Sequence, residues 1–275
     1  MSAQIINQKI DDIVNFIKNK TRIQPQIGLI LGSGLGNIAD SIEADITIPY
    51  SEIPHIPAST APGHAGRLII GKLDGKNFIT MQGRLHLYEG HTPQTSTLLV
   101  RAMKKMGVNT LFITAAAGGL NYHFHTGEIM LITDHINFTG HTPLLGENLD
   151  NFGPRFCNMF DIYTESLQKI ARKAAIDNRI QLCQGVYAGI LGPQYATRAE
   201  LRFLLQNNCD AIGMSVVQEA IVAAHCGMQI LGLAAITDMA LPYATHHVSE
   251  LEVVEQAKLA SDKVKILITE VAHDL

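Results

Sequence analysis

Ile6, Ile10, Ile13, Val14 and Ile17 recur at three- and four-residue intervals, with Asp11, Asn15 and Lys18 between them, so the chain opens on an amphipathic helix. An apolar run of strand length then follows Gln26 and breaks into GSGLG at 32–36, which predicts a glycine turn with exposed backbone N–H groups and a helix start. Two short apolar runs, 67–71 and 77–81, flank Asp74-Gly75, the dipeptide of a tight hairpin. Residues 94–106 read as a helix stopped by Gly107, and an apolar strand from Asn109 runs into a small-residue loop, Ala115 to Gly119. A strand from Gly127 ends on Asp134, His135 and Asn137, and residues 140–160, rich in Gly, Pro and Asn, predict a long surface loop.

The alternation continues to the end of the chain. A helix at 162–178 precedes a strand that leads from Gly185 through Gly192-Pro193 into another helix, and a short strand from Asp210 ends at Ser215. Val216 to Cys226 reads as a helix closed at Gly227, and Met228 starts the last apolar strand. Ser249-Glu250-Leu251-Glu252 is a capping-box pattern, followed by a stripe of Val253, Ala257, Val264, Leu267, Ile268 and Val271. Strands rich in Val, Ile and Leu that alternate with helices imply an α/β layered fold around a mostly parallel or mixed sheet.

Composition narrows this further. At 275 residues without a Pro/Ser/Gly-rich or charged linker, the chain reads as a single domain over 1–275. Apolar residues at 47% against 17% charged suit a large core with strands covered on both faces. A net charge of -4 supplies no basic face for nucleic acid, so any anion must be bound locally. The cysteines at 157, 183, 209 and 226 form no C-x-x-C pair, so neither disulfides nor structural zinc is expected, and a reducing compartment is. With no basic-then-apolar leader and no run of about 18 apolar residues, no membrane segment is expected and the expected location is cytoplasmic.

The chemistry gathers between Ala61 and His91, where His64, Arg84, His86, Tyr88, Glu89 and His91 crowd the ends of the two hairpin strands. Arg84 and His86, two apart, face the same side of an extended segment and with His64 make one cationic pocket suited to an anion. Ser33 among its glycines is a second anion seat, and Ala115 to Gly119 allow a close backbone approach to a ligand. A dinucleotide fingerprint fails because Asn37 stands where its third glycine belongs, and neither a P-loop nor G-x-S-x-G occurs.

Taken in order, GSGLG at 32–36, PGHAGRL at 62–68, QGRLHLYEGH at 82–91, AAGGL at 116–120, GPQY at 192–195 and GMS at 213–215 resemble the trimeric purine nucleoside phosphorylases, a family that includes methylthioadenosine phosphorylases. The resemblance runs from about Gly28 to the last helix. It implies a mixed β-sheet flanked by helices, a homotrimer, and phosphorolysis of a purine nucleoside with phosphate as co-substrate and no metal or organic cofactor. By this resemblance Ser33, Arg84, His86, the Ala116 backbone N–H and Ser215 hold phosphate, with His64 close by. Tyr88 and Met214 border the ribose, Glu89 positions His86 or the phosphate network, and Phe152 covers the sugar of a neighbouring subunit. His86, Glu89 and Asp238 are the expected catalytic groups.

The base seat departs from the family's pattern. Phosphorylases of 6-oxopurines carry F-E-T after G-P-x and an Asn at the end of the I-T-N strand; the matching residues here are Tyr195, Ala196, Thr197 and Asp238. An ionised Asp238 accepts from a 6-amino group and a protonated one donates to N7. One reading is therefore a preference shifted to 6-aminopurine nucleosides, which extends to a methylthioadenosine-type enzyme because GPQYATRAE at 192–200 is similar to that branch. The other is an ordinary 6-oxopurine enzyme with Asp238 protonated or turned away. Glu250 falls where the family has its 5′-hydroxyl histidine, with His246 or His247 as substitutes. A non-catalytic purine-binding protein would need a broken phosphate site, yet Ser33, Arg84, His86 and Ser215 are all present.

Overall fold

In the computed structural model, residues 2–61, 63–245 and 248–275 are described. The elements in order are α1 (Ala3–Lys18), β1 (Ile27–Leu31), β2 (Glu43–Pro49), β3 (Arg67–Leu73), β4 (Lys76–Gln82), α2 (Pro93–Ser96), α3 (Leu98–Lys105), β5 (Thr110–Gly119), β6 (Ile129–Asn137), α4 (Glu165–Asp177), β7 (Leu182–Gly189), α5 (Arg198–Gln206), β8 (Ala211–Gly213), α6 (Val217–His225), β9 (Gln229–Met239) and α7 (Glu250–His273).

All nine strands share one mixed sheet, ordered β2-β3-β4-β1-β5-β8-β7-β6-β9, with β9 also paired to β5. β1 lies parallel between β4 and β5. The extra β5–β9 pairing curls the second half of the sheet into a closed ring of β5, β8, β7, β6 and β9. Among the described residues this leaves β2 as the one terminal strand of the sheet, paired on one side only.

Successive residues of a strand face opposite sides, and both sides here are covered. Ile30 of β1 packs with α1, α3 and α6 through Ile10, Leu99 and Val222, whereas Leu29 and Leu31 pack with α4 and α7 through Leu167, Val264 and Leu267. Two-sided cover is why β1 reads as an unbroken apolar run. At the start of α7 the Ser249 hydroxyl accepts from the Glu252 N–H at 3.3 Å and the Glu252 carboxylate accepts from the Ser249 N–H at 2.7 Å, closing the capping box.

Four local expectations change. Ala115 to Gly119 is not a loop but the end of β5, paired with β9 through Gly119 with a register shift between Ala117 and Gly118. The helix expected over 94–106 is broken at Thr97, whose hydroxyl donates to the Pro93 carbonyl at 2.8 Å and leaves its backbone outside the helical range. The helix start after the glycine turn is a 3₁₀ helix, Gly36–Ser41. β2 has no counterpart in the sequence reading, because as an edge strand it is mostly exposed.

Candidate active site

The hairpin of β3 and β4 delivers the polar stretch. Gly83 follows β4 with φ 96°, and a Cβ there would lie 2.7 Å from that of His64, so glycine lets the two segments touch. His64 Nδ1 lies 3.1 Å from both the N and O of Arg84, and its Nε2 is 3.1 Å from Ser33 Oγ. Either tautomer therefore keeps the Ser33 hydroxyl engaged. The rings of His64 and His86 stack at 5.0 Å, and those of His86 and Tyr88 at 4.6 Å.

Arg84 is 1% exposed. Its Nη1 donates to Glu219 Oε1 at 3.3 Å and its Nη2 to the Thr114 carbonyl, while its Nε has no hydrogen-bond partner among the described residues. The expectation of a cationic pocket built from three side chains is corrected here. Burial, then the charges of His86 and Arg84, pulls His64 down to about 3, and burial lowers His86 too, so near neutral pH both rings are uncharged. One cation remains, and Glu219 balances it.

Burial by itself would raise the Glu89 carboxyl, but four hydrogen bonds outweigh it and hold the group well below the usual range. They come from the His86 backbone N–H at 2.7 Å and Nδ1 at 3.3 Å, and from the Thr60 N–H and hydroxyl at 2.7 and 2.8 Å. Glu89 thus stays ionised and orients the His86 ring, leaving Nε2 as its available nitrogen.

Ser215 approaches from the opposite side, between β8 and α6. Its N–H donates to the Tyr187 hydroxyl at 3.3 Å. The next residue, Val216, is turned to φ 70°, ψ -56°, in a tight γ-turn closed by the Val217 N–H on the Ser215 carbonyl at 2.8 Å. Arg84, His86, Met214, Ser215 and Glu219 line one cavity. Ala116 belongs to the part of β5 lying between the end of the β1 pairing at Ile113 and the start of the β8 pairing at Gly118. Along 114–117 that edge of β5 has no neighbouring strand.

Tyr88, stacked on His86, is pushed up to about 12 by burial and by the charges of Glu89 and Glu250, and Tyr195 is raised by burial and by the charges of Asp238 and Glu250. Asp238, next to last in β9, is half-buried; burial raises its carboxyl, and Oδ1 accepts from the Thr237 hydroxyl at 3.0 Å. Ala196 is half-buried beside a small cluster that includes Leu120, Ala188 and Leu201. Glu250 is exposed at the start of α7. His246 and His247, like Pro62 of the PGHAGRL motif, lie outside the described residues. Phe152 is apart from this cavity, its ring 5.3 Å from the Arg101 guanidinium.

The sequence reading missed Glu219, Tyr187, Thr60 and Thr114. Of these, Glu219 left a trace, an acidic residue inside the otherwise apolar stretch VVQEAIVAAHC at 216–226. Among the described residues no group of three or more His, Cys, Asp or Glu is arranged to hold a metal ion.

Residues 26–273 match the family model of the phosphorylase superfamily. Purine nucleoside phosphorylase 1 of Bacillus subtilis (strain 168) is 46% identical over 260 residues, 94% of each chain. A Schistosoma mansoni purine nucleoside phosphorylase in complex with adenosine superposes with a TM-score of 0.93 at 35% identity, over 98% of this chain and 97% of that one. A Schistosoma mansoni purine nucleoside phosphorylase in complex with inosine gives a TM-score of 0.92 at 34% identity, over 98% and 96%. The chain belongs to the purine nucleoside phosphorylases of this superfamily, and with them to the pentosyl-transferring enzymes.

Proposed function

We propose that this chain uses inorganic phosphate to cleave the N-glycosidic bond of purine ribo- and deoxyribonucleosides, releasing the base and the sugar 1-phosphate. The observation that carries the reading is the Arg84 Nε, a buried donor with no partner among the described residues, set among Ser33, His64, His86 and Ser215. A buried guanidinium N–H left unpaired is costly, and a phosphate oxygen satisfies it. The Ser33 and Ser215 hydroxyls, the His86 Nε2 and the Ala116 N–H on the open edge of β5 complete the seat. As the bond breaks, positive charge grows on the sugar above this anion and negative charge on the departing base. His86, oriented by Glu89, moves a proton within the phosphate network, and Asp238 supplies one to N7. Phosphate is a co-substrate, and neither metal nor organic cofactor enters the reading.

Tyr88 and Met214 border the ribose, with Glu250 near its 5′ side, and Tyr195 and Ala196 flank the base. We take the base preference to favour 6-aminopurines. A 6-oxopurine presents acceptors at both O6 and N7, and a protonated carboxyl has one hydrogen where an amide NH₂ has two. A 6-aminopurine presents a donor and an acceptor, which one protonated carboxyl matches. Relatives with the same fold have been solved with adenosine and with inosine, so the architecture admits both.

The assembly in this reading is a homotrimer in which Phe152 covers the sugar of the next subunit. Support comes from the 138–164 segment, where the large apolar side chains of Leu145, Phe156 and Phe160 are 75%, 91% and 82% exposed. Four free cysteines fit a cytoplasmic setting.

The test is phosphorolysis of adenosine, methylthioadenosine, inosine and guanosine in parallel, each with and without phosphate. Base release in every case without phosphate would overturn the reading. Arg84→Gln combined with Glu219→Gln removes both buried charges together, so neither is left stranded, and it is expected to lower turnover by roughly 100-fold or more. Asp238→Asn is expected to move preference toward inosine, and an unchanged adenosine-to-inosine ratio would remove Asp238 from the account.

A further inference from the structure

Beyond Ile30 and Ile113, the last residues at which β1 and β5 pair, a side chain bridges the two segments. The Thr114 hydroxyl accepts from the Gly32 N–H at 3.2 Å and donates to the Ile30 carbonyl at 2.9 Å. One hydroxyl thus serves a buried donor and a buried acceptor together. Gly32 comes this close because it has no side chain: an added Cβ would lie 2.8 Å from the Ala115 Cα and 2.9 Å from the Thr114 carbonyl oxygen. Thr114 is itself fully buried. Valine has the same shape, and β-branched apolar residues are what a strand covered on both faces usually carries. Packing alone does not account for a hydroxyl here.

The same residue meets the other parts of the proposed phosphate seat. Its backbone carbonyl accepts from Arg84 Nη2. The N–H and C=O of one residue leave a strand on the same edge, as do those of the residue two further on, so the Ala116 N–H opens on the edge from which Arg84 approaches. Ser33 follows Gly32 and has its hydroxyl 3.1 Å from His64 Nε2. Three stretches of chain far apart in sequence are therefore aligned on Thr114. Any residue would offer Arg84 the carbonyl, but only the hydroxyl ties the glycine turn to it.

We propose that Thr114 is a positioning residue whose hydroxyl sets the Ser33 turn against Arg84 and the open edge of β5, so that their donors converge on one phosphate. This rests on the reading that Ser33 and Arg84 hold phosphate. Among the described residues Thr114 makes no side-chain hydrogen bond to Tyr88, Met214, Tyr195 or Asp238, so its effect falls on phosphate rather than on the nucleoside.

The experiment is steady-state kinetics on the assembled enzyme, varying phosphate and nucleoside separately, for Ser33→Ala, Thr114→Val, Thr114→Ser and Thr80→Val. Thr114→Val should raise the KM for phosphate about tenfold and leave that for nucleoside unchanged, and Thr114→Ser should recover most of the loss. Thr80 on β4 is the control, a buried hydroxyl with no partner among the described residues, and Thr80→Val should alter neither KM. Combining Thr114→Val with Ser33→Ala should cost no more than Ser33→Ala alone. If Thr114→Val fails to fold, Thr114→Cys puts a weaker thiol donor in the same place and should raise the phosphate KM in the same direction. Equal effects on both KM values, an equal rise in Thr80→Val, or a fully additive double variant overturns the role of Thr114. If Ser33→Ala itself leaves the phosphate KM unchanged, the placement of phosphate beside Ser33 is wrong. If Ser33→Ala raises it and the Thr114 variants do not, the role of Thr114 alone is wrong.

Discussion

His64 is held neutral where an exposed histidine would take up a proton. Its value falls from 6.5 to about 3 on folding, so between those limits the unfolded chain binds a proton that the native ring refuses. Stability is fully present above about 6.5 and is lost as pH falls below it, at up to about 1.4 kcal/mol per pH unit for one group. His86, also lowered by burial, adds to this slope, and Glu89, depressed from 4.5, adds a further loss at lower pH. Thermal unfolding followed across pH should give a flat midpoint above neutrality and a declining one below 6.5, flattened by His64→Gln. An unchanged midpoint down to pH 5 would mean that the ring is protonated in the native state. At this scale the sequence revealed residue types but not their charges. Arg84 and His86 were legible as site residues, whereas the carboxylate that balances Arg84 lies 135 residues further along, and no local pattern links the two.

Elements were legible where their signals are local. Asp74 and Gly75 take φ 49° and 78°, the left-handed pair that a two-residue hairpin turn demands, and the Ser249 box caps α7 as its spacing implies. Gly75→Ala is expected to cost about 1 kcal/mol, read as a shift in the denaturation midpoint. Kinetics should be unaffected, because the turn lies at the opposite end of β4 from Arg84. A loss of activity in this variant at temperatures where it remains folded would show that the hairpin transmits strain to the site. Elements that depend on distant partners were not legible. The small residues of β5 are a strand because β9 lies alongside, and β2 is a strand because β3 recruits it, although its own exposed residues carry no apolar signal. The Thr97 break arises from a single hydroxyl competing for a backbone carbonyl.

For the whole molecule, the exposed Phe156 and Phe160 set the expectation. If the proposed trimer forms through this segment, Phe156→Glu with Phe160→Glu is expected to give single chains by light scattering and lower nucleoside turnover together with assembly. A trimer that survives both charges would place the subunit interface elsewhere. The closed ring of strands has a consequence of a different kind. A nine-stranded sheet ordinarily offers two long edges on which another extended chain can add itself, the first step toward fibrous aggregates. Here the far end of the sheet folds back onto β5, and the remaining edge at β2 carries Glu43 and Asp45, a register break between Ala44 and Ile46, and Pro49, which has no N–H to donate. Each of these works against strand addition. Among the described residues, the ends of the sheet therefore expose little template for cross-strand association.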